Sequence, residues 1–146
     1  MESEAPKTIL LYHPDLHLQD PLTQTREGGR IALITEQLMA EGLWDESIVQ
    51  PDVAPLKRLR DIHEEEYLNE LHRRCTHGET SLDAQTPVME KSFELARLGA
   101  GGVLDAVDLI MRNEATQALV LTAMPGHHAG IGKFGGGSLV NYAAAG

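Results

Sequence analysis

A single cysteine, Cys75, stands in the 146 residues, so no internal disulfide can form and no cysteine pair or cluster offers a structural zinc site. That usage fits a reducing compartment, and a cytoplasmic location is the expectation. Long apolar runs are missing too. The longest fall far short of the ~20 residues that cross a bilayer, which argues against a membrane partner. The first seven residues are acidic and then polar, the reverse of a secretory signal, so no export is implied. Positive charge is scarce: 12 Lys and Arg against 22 Asp and Glu leave a net charge of −10. Such a surface repels phosphate backbones and disfavours nucleic acid, while a cationic ligand is tolerated better. There is no internal repeat and no low-complexity tail.

What is present is a chain with 42% hydrophobic residues, enough for one core and one domain over residues 1–146. Residues 8–12 form a short apolar run without alternation, closed by Pro14, which reads as a buried parallel strand. A loop follows over residues 13–29. After Gly28 and Gly29, Ile31, Ile34 and Leu38 recur at helical spacing until Gly42. A short strand is expected around Ile48 and Val49, and Pro55 can open the next helical turn. Residues 64–75 place Tyr67, Leu68, Leu71 and Cys75 on one helix face, with carboxylates in the first turn where the helix dipole favours them. Residues 76–87 read as polar loop. Residues 90–112 then carry a helical stripe of Phe93, Ala96, Ala100, Val103, Leu104, Val107 and Ile110. Gly99, Gly101 and Gly102 interrupt it, which implies close packing or a bend. Residues 118–122 are a second apolar run of strand length, and it delivers the chain into a segment with six glycines, residues 124–138. Another helix begins near Leu139. Alternating strands and helices argue for an α/β domain with a parallel sheet.

Chemistry concentrates in Met124-Pro125-Gly126-His127-His128-Ala129-Gly130, because adjacent imidazoles on a loop leaving a strand are poorly explained by packing. Two side by side can divide proton transfer, one taking a proton from water while the other orients or donates. The surrounding residues resemble the histone deacetylase superfamily, which also contains acetylpolyamine amidohydrolases and acetoin-utilisation proteins. The Pro-Gly-His-His-Ala core carries the resemblance. It is supported by Phe134-Gly135-Gly136, by Asn141 with Ala143-Ala144, and upstream by Tyr12-His13-Pro14, by Ile62-His63-Glu64-Glu65-Glu66-Tyr67-Leu68 and by Thr86-Pro87-Val88.

The resemblance implies a three-layer α/β fold of the arginase/deacetylase type, of which this chain is the amino-terminal part, with a parallel sheet incomplete at its carboxyl end. It implies hydrolysis of an N-acetyl amide, acetyl-lysine or an acetylpolyamine, with a zinc ion polarising the carbonyl and activating water. His127 and His128 would be the acid–base pair, with Gly136 and Gly137 at the rim of the substrate channel. Gln85 stands where an aspartate often contacts the substrate backbone. The family's zinc ligands and carbonyl-polarising tyrosine would lie after Gly146, so this chain is expected to hold no metal and to be inactive alone. Asp15-Leu16-His17 reads as a coincidence of spacing. Several positions depart from the family pattern: Ala123-Met124 for Arg-Pro, Ser138 for Cys, Tyr142 for a second Asn, and Gly137 for a channel aromatic. In the first loop little beyond Arg30 agrees. Such changes fit a divergent branch or an inactive copy.

Two other readings compete. Residues 130–135, Gly-Ile-Gly-Lys-Phe-Gly, satisfy the dinucleotide-binding pattern, but its first glycine comes eight residues after Thr122. A non-catalytic scaffold that binds a partner, or self-associates through an unfinished sheet edge, is the other. The remaining histidines, His13, His17, His63, His72 and His77, have surface or structural roles on this reading, and Trp44 and Phe93 belong to the core.

Overall fold

The computed structural model describes residues 7–18, 29–45 and 48–146. Most of the loop expected at residues 13–29, with Gly28, lies outside them, as do the first six residues. Strand β1 (Thr8–Leu11) sits between β2 (Ile48–Val49) and β5 (Gln117–Val120), and both pairings are parallel. Alternation along β1 divides the core. Ile9 and Leu11 share a cluster with Ala106 and Ala115, packed by Val49, Ala118 and Val120, while Leu10 joins the larger cluster with Ile31. The β1–β5 ladder continues past the strand ends through Leu121 N–H to the Leu11 carbonyl at 3.0 Å. That bond fixes the point at which the chain leaves the carboxyl edge of the sheet.

Between the strands run α1 (Gly29–Ala40), α2 (Leu56–Arg60), α3 (Glu65–Thr76) and α4 (Ser92–Met111), and α5 (Tyr142–Ala145) follows the last strand. A 3₁₀ turn over Pro14–His17 is capped by the His13 ring, which accepts from Asp15 N–H at 3.0 Å. Helix α3 buries the four expected residues, Tyr67, Leu68, Leu71 and Cys75. Each of its leucines contributes about 1.5–3 kcal/mol. Burial pushes the Cys75 thiol up to about 11. Among the described residues no helix is long and apolar enough to cross a membrane.

Four expectations change. Residues 76–87 are not all loop: β3 (Ser81–Asp83) and β4 (Thr86–Pro87) form an antiparallel hairpin too short and polar to show an alternating pattern. In α1, Thr35 is buried and Ile34 is exposed. In α4, Val107 and Ile110 are exposed, because the helix turns its glycines inward. Trp44 is half-buried, edge-on to Tyr12, whereas Phe93 is core.

The inward glycines of α4 let three other segments approach its backbone. A Cβ on Gly101 would lie 1.8 Å from the Asp52 carbonyl oxygen, one on Gly102 2.7 Å from Val120, and one on Gly99 2.9 Å from the Tyr142 ring. No rotamer change moves a main-chain carbonyl. Helix propensity alone favours alanine by about 1 kcal/mol, so a loss reports the contact itself. Gly101→Ala is expected to lower stability by about 1–3 kcal/mol, the range for overpacking, measured by urea denaturation. Gly135→Ala, whose methyl would meet nothing within 4 Å, should cost less. Equal midpoints for the two variants would refute the close approach.

Candidate functional site

Residues 121–141 leave β5 as a loop with two limbs. The first carries His127 and His128, both exposed, with ring centroids 3.9 Å apart and planes inclined at 44°. Main-chain turns hold it: Ala129 N–H donates to Gly126 O at 3.2 Å, and Gly130 N–H to Lys133 O at 2.8 Å. The second limb turns at Gly136 and Gly137, whose φ values of +53° and +79° lie in the left-handed region. Ser138 closes that turn by donating its N–H to Gly135 O at 2.8 Å, and its fully buried hydroxyl accepts from His128 N–H at 3.3 Å. The His128 ring rests against Gly136, where a Cβ would lie 2.7 Å from Cδ2.

Four neighbours brace the limbs. Asn141 donates from Nδ2 to Ala129 O at 3.0 Å, while its Oδ1 accepts from Ala144 N–H and caps α5. The Tyr67 hydroxyl donates to Leu139 O at 2.7 Å, and burial pushes its phenol above the ordinary range. His63, 3% exposed, sets Nδ1 2.8 Å from Gly130 O and takes Asn141 N–H on Nε2 at 3.1 Å. At the start of the loop, the Arg30 guanidinium donates to the Ala123 carbonyl.

Tyr142 fills the space left by Gly99 and Gly126, and its hydroxyl has no hydrogen-bond partner among the described residues. Such an orphan costs about 1–3 kcal/mol. The deeply buried phenol is held protonated well above its usual range.

Of the residues singled out in the sequence, His127, His128, Gly136 and Gly137 come together. Gln85 is exposed at the β3–β4 turn, its N–H on Asp83 Oδ1 at 2.8 Å; the next residue, Thr86, reaches the loop by accepting Gly137 N–H at 3.3 Å. Residues 130–135 do not open a helix, because two isolated bridges, Gly130 with Lys133 and Gly135 with Ser138, fold them into turns. That arrangement removes the dinucleotide reading, which needs amides at a helix start. Among the described residues no three His, Cys, Asp or Glu side chains come together as a metal site. Ser138, Thr86 and the buried role of His63 escaped the sequence, since each works through main-chain bonds to residues 10 to 78 positions away.

A family model described as histone deacetylase domain matches residues 24–146. A probable deacetylase of Archaeoglobus fulgidus is 29% identical over 127 residues, covering 84% of this chain and 35% of that protein. The polyamine deacetylase HDAC10 of Homo sapiens is 26% identical over 133 residues, 83% of this chain and 20% of its own. Among solved structures, the HDA15 HD domain superimposes with a TM-score of 0.83 at 21% identity, over 97% of this chain and 42% of that one. A deacetylase homologue from Aquifex aeolicus gives 0.74 at 20% identity, over 95% and 40%. The chain therefore spans about two fifths or less of the length of each of these four proteins.

These matches correct two expectations, that only an amino-terminal part of the family domain is present and that the α/β fold is incomplete at its carboxyl end. The family match covers residues 24–146, and the arginase/deacetylase fold likeness extends along 97% of the chain.

Gly136→Ala combines a left-handed φ with a methyl driven into the His128 ring. We expect it to displace His128 and cost about 1–3 kcal/mol. Thermal denaturation and the His128 ring signals in NMR spectra check this, and unchanged ring signals would contradict the contact.

Proposed function

The chain belongs to the histone deacetylase domain family, and from that premise we propose that it serves the hydrolysis of N-acetyl amides, with His127 and His128 as the acid–base pair. The observation that carries the reading is the pair itself: two exposed rings 3.9 Å apart on a loop at the carboxyl edge of a parallel sheet. At that spacing one neutral imidazole can take a proton from water while its neighbour, protonated, donates to the departing amine. We further assign Gly136, Gly137 and Gln85 to the path of the substrate's narrow alkyl chain: Gly136 lies against the His128 ring, and Gln85 stands one residue from Thr86, which accepts Gly137 N–H. Acetyl-lysine and acetylpolyamines share that shape, and the name of the human relative favours a polyamine. The net charge of −10 favours a cationic substrate of either kind.

The family's chemistry is zinc-dependent. The described residues of this chain do not fit that ion, because no three candidate ligands meet. In our reading the chain contributes the imidazole half of the site and does not turn over substrate by itself.

The test adds N-acetyl-lysine amide, and separately lysine amide, to the purified chain while NMR follows its amides and histidine rings. Shifts centred on His127, His128, Gly136 and Gly137 with the acetylated compound alone are the expected result. Responses elsewhere, or equal responses to both compounds, would remove the assignment. Zinc-stimulated release of acetate by the chain alone would overturn the half-site part. In any assembly that does turn over, His127→Ala or His128→Ala should lower kcat by about 10²–10⁴-fold.

A further inference from the structure

We propose that His63 is a positioning residue for the imidazole pair, holding both limbs of the site loop through one ring in one tautomer; the proposal rests on the acid–base reading of His127 and His128. The ring is 3% exposed. Its Nε2 accepts the Asn141 N–H at 3.1 Å, and Nδ1 lies 2.8 Å from Gly130 O and 3.2 Å from Ile131 O. An imidazole nitrogen that accepts carries no proton, so the proton of the neutral ring is on Nδ1 and is donated to those carbonyls. One ring thereby ties the limb just beyond His127-His128-Ala129 to the residue that caps α5. Asn141 returns the connection, donating from Nδ2 to Ala129 O at 3.0 Å. The result is a closed circuit from His63 through Asn141 and Ala129 to Gly130 and back, with His128 the residue immediately before it.

The ring is itself held. His63 N–H donates to Leu59 O at 2.8 Å, Glu64 N–H to Ile131 O at 3.0 Å, and Tyr67, 5.4 Å from the His63 ring, secures Leu139 O. Packing alone does not call for a histidine here. A leucine or phenylalanine would fill the volume but leave the Asn141 N–H unpaired in the interior, at about 1–3 kcal/mol. The other tautomer, or the protonated ring, would set Nε2–H against Asn141 N–H, donor facing donor. Arg60, Asp61, Glu64 and Glu65 line a surface pocket together with His63, and of these Arg60 and Glu65 pair at 2.6 Å.

The test uses the full chain with ¹⁵N-labelled histidine. In the unaltered protein the His63 ring should show its proton on Nδ1 and a bare Nε2 in ¹⁵N–¹H spectra; an Nε2–H tautomer overturns the proposal, and this measurement needs no variant to fold. His63→Phe should shift the ring signals of both His127 and His128. His63→Gln, whose amide keeps one donor and one acceptor, should return them part of the way. A His63→Phe protein that melts earlier yet leaves the His127 and His128 signals unmoved would make His63 a core residue only. The two proposals fail separately. Absence of any response of His127 and His128 to N-acetyl-lysine amide counts against the hydrolytic reading, while the His63 tautomer and the variant shifts are read without substrate.

Discussion

A glycine-rich loop must satisfy its own N–H and C=O groups before it can hold two imidazoles still, and this constraint organises the site. Glycine backbone loses more freedom on ordering than any other, so residues 121–141 need more than their internal turns. The bonds come from outside the loop: from the Arg30 side chain, from His63 just before α3 and Tyr67 in its first turn, and from Thr86 of the β3–β4 hairpin. Within it, Ser138 and Asn141 tie one limb to the other. The parallel pairing of β1 with β5 fixes where the loop begins, and the glycines of α4 allow Asp52, Val120 and Tyr142 to approach that helix closely.

The side chains divide by depth. His127 and His128 are exposed, where they can exchange protons with water, while the groups that fix their backbone are paired and either buried (His63, Tyr67, Thr86, Ser138) or half-buried (Arg30, Asn141). Tyr142 is the exception. Its ring joins Gly99 to Gly126, yet its hydroxyl lacks a partner. At Tyr142 this chain packs a ring between two glycines and leaves a buried hydroxyl unsatisfied. Loop placement and helix contact both depend on that ring, whereas the hydroxyl adds nothing to either.

Much of this was legible in the sequence where a pattern is local. The four buried residues of α3 sit at helical spacing, the apolar run at residues 8–12 contains β1, and Pro55 precedes α2. The adjacent imidazoles marked the loop. Less legible was anything set by distant neighbours. The β3–β4 hairpin is polar and short, and its use is a single bond from Gly137 to Thr86. Val107 and Ile110 look like core residues until the glycines of α4 prove to be the inward face. His63 resembles any other histidine beside a run of glutamates until Asn141, 78 positions later, supplies the partner for its ring.

The imidazole loop is a rigid part of the fold, held by bonds to its buried and half-buried neighbours rather than ordered on binding. Amide hydrogen exchange on the full chain tests it most directly, read at Gly130, Gly137 and Asn141. Asn141 N–H, bonded to His63, is expected to exchange as slowly as the amides of β1, through opening of the whole domain. Exchange of all three at the rate of an open loop, with β1 still protected, would contradict it.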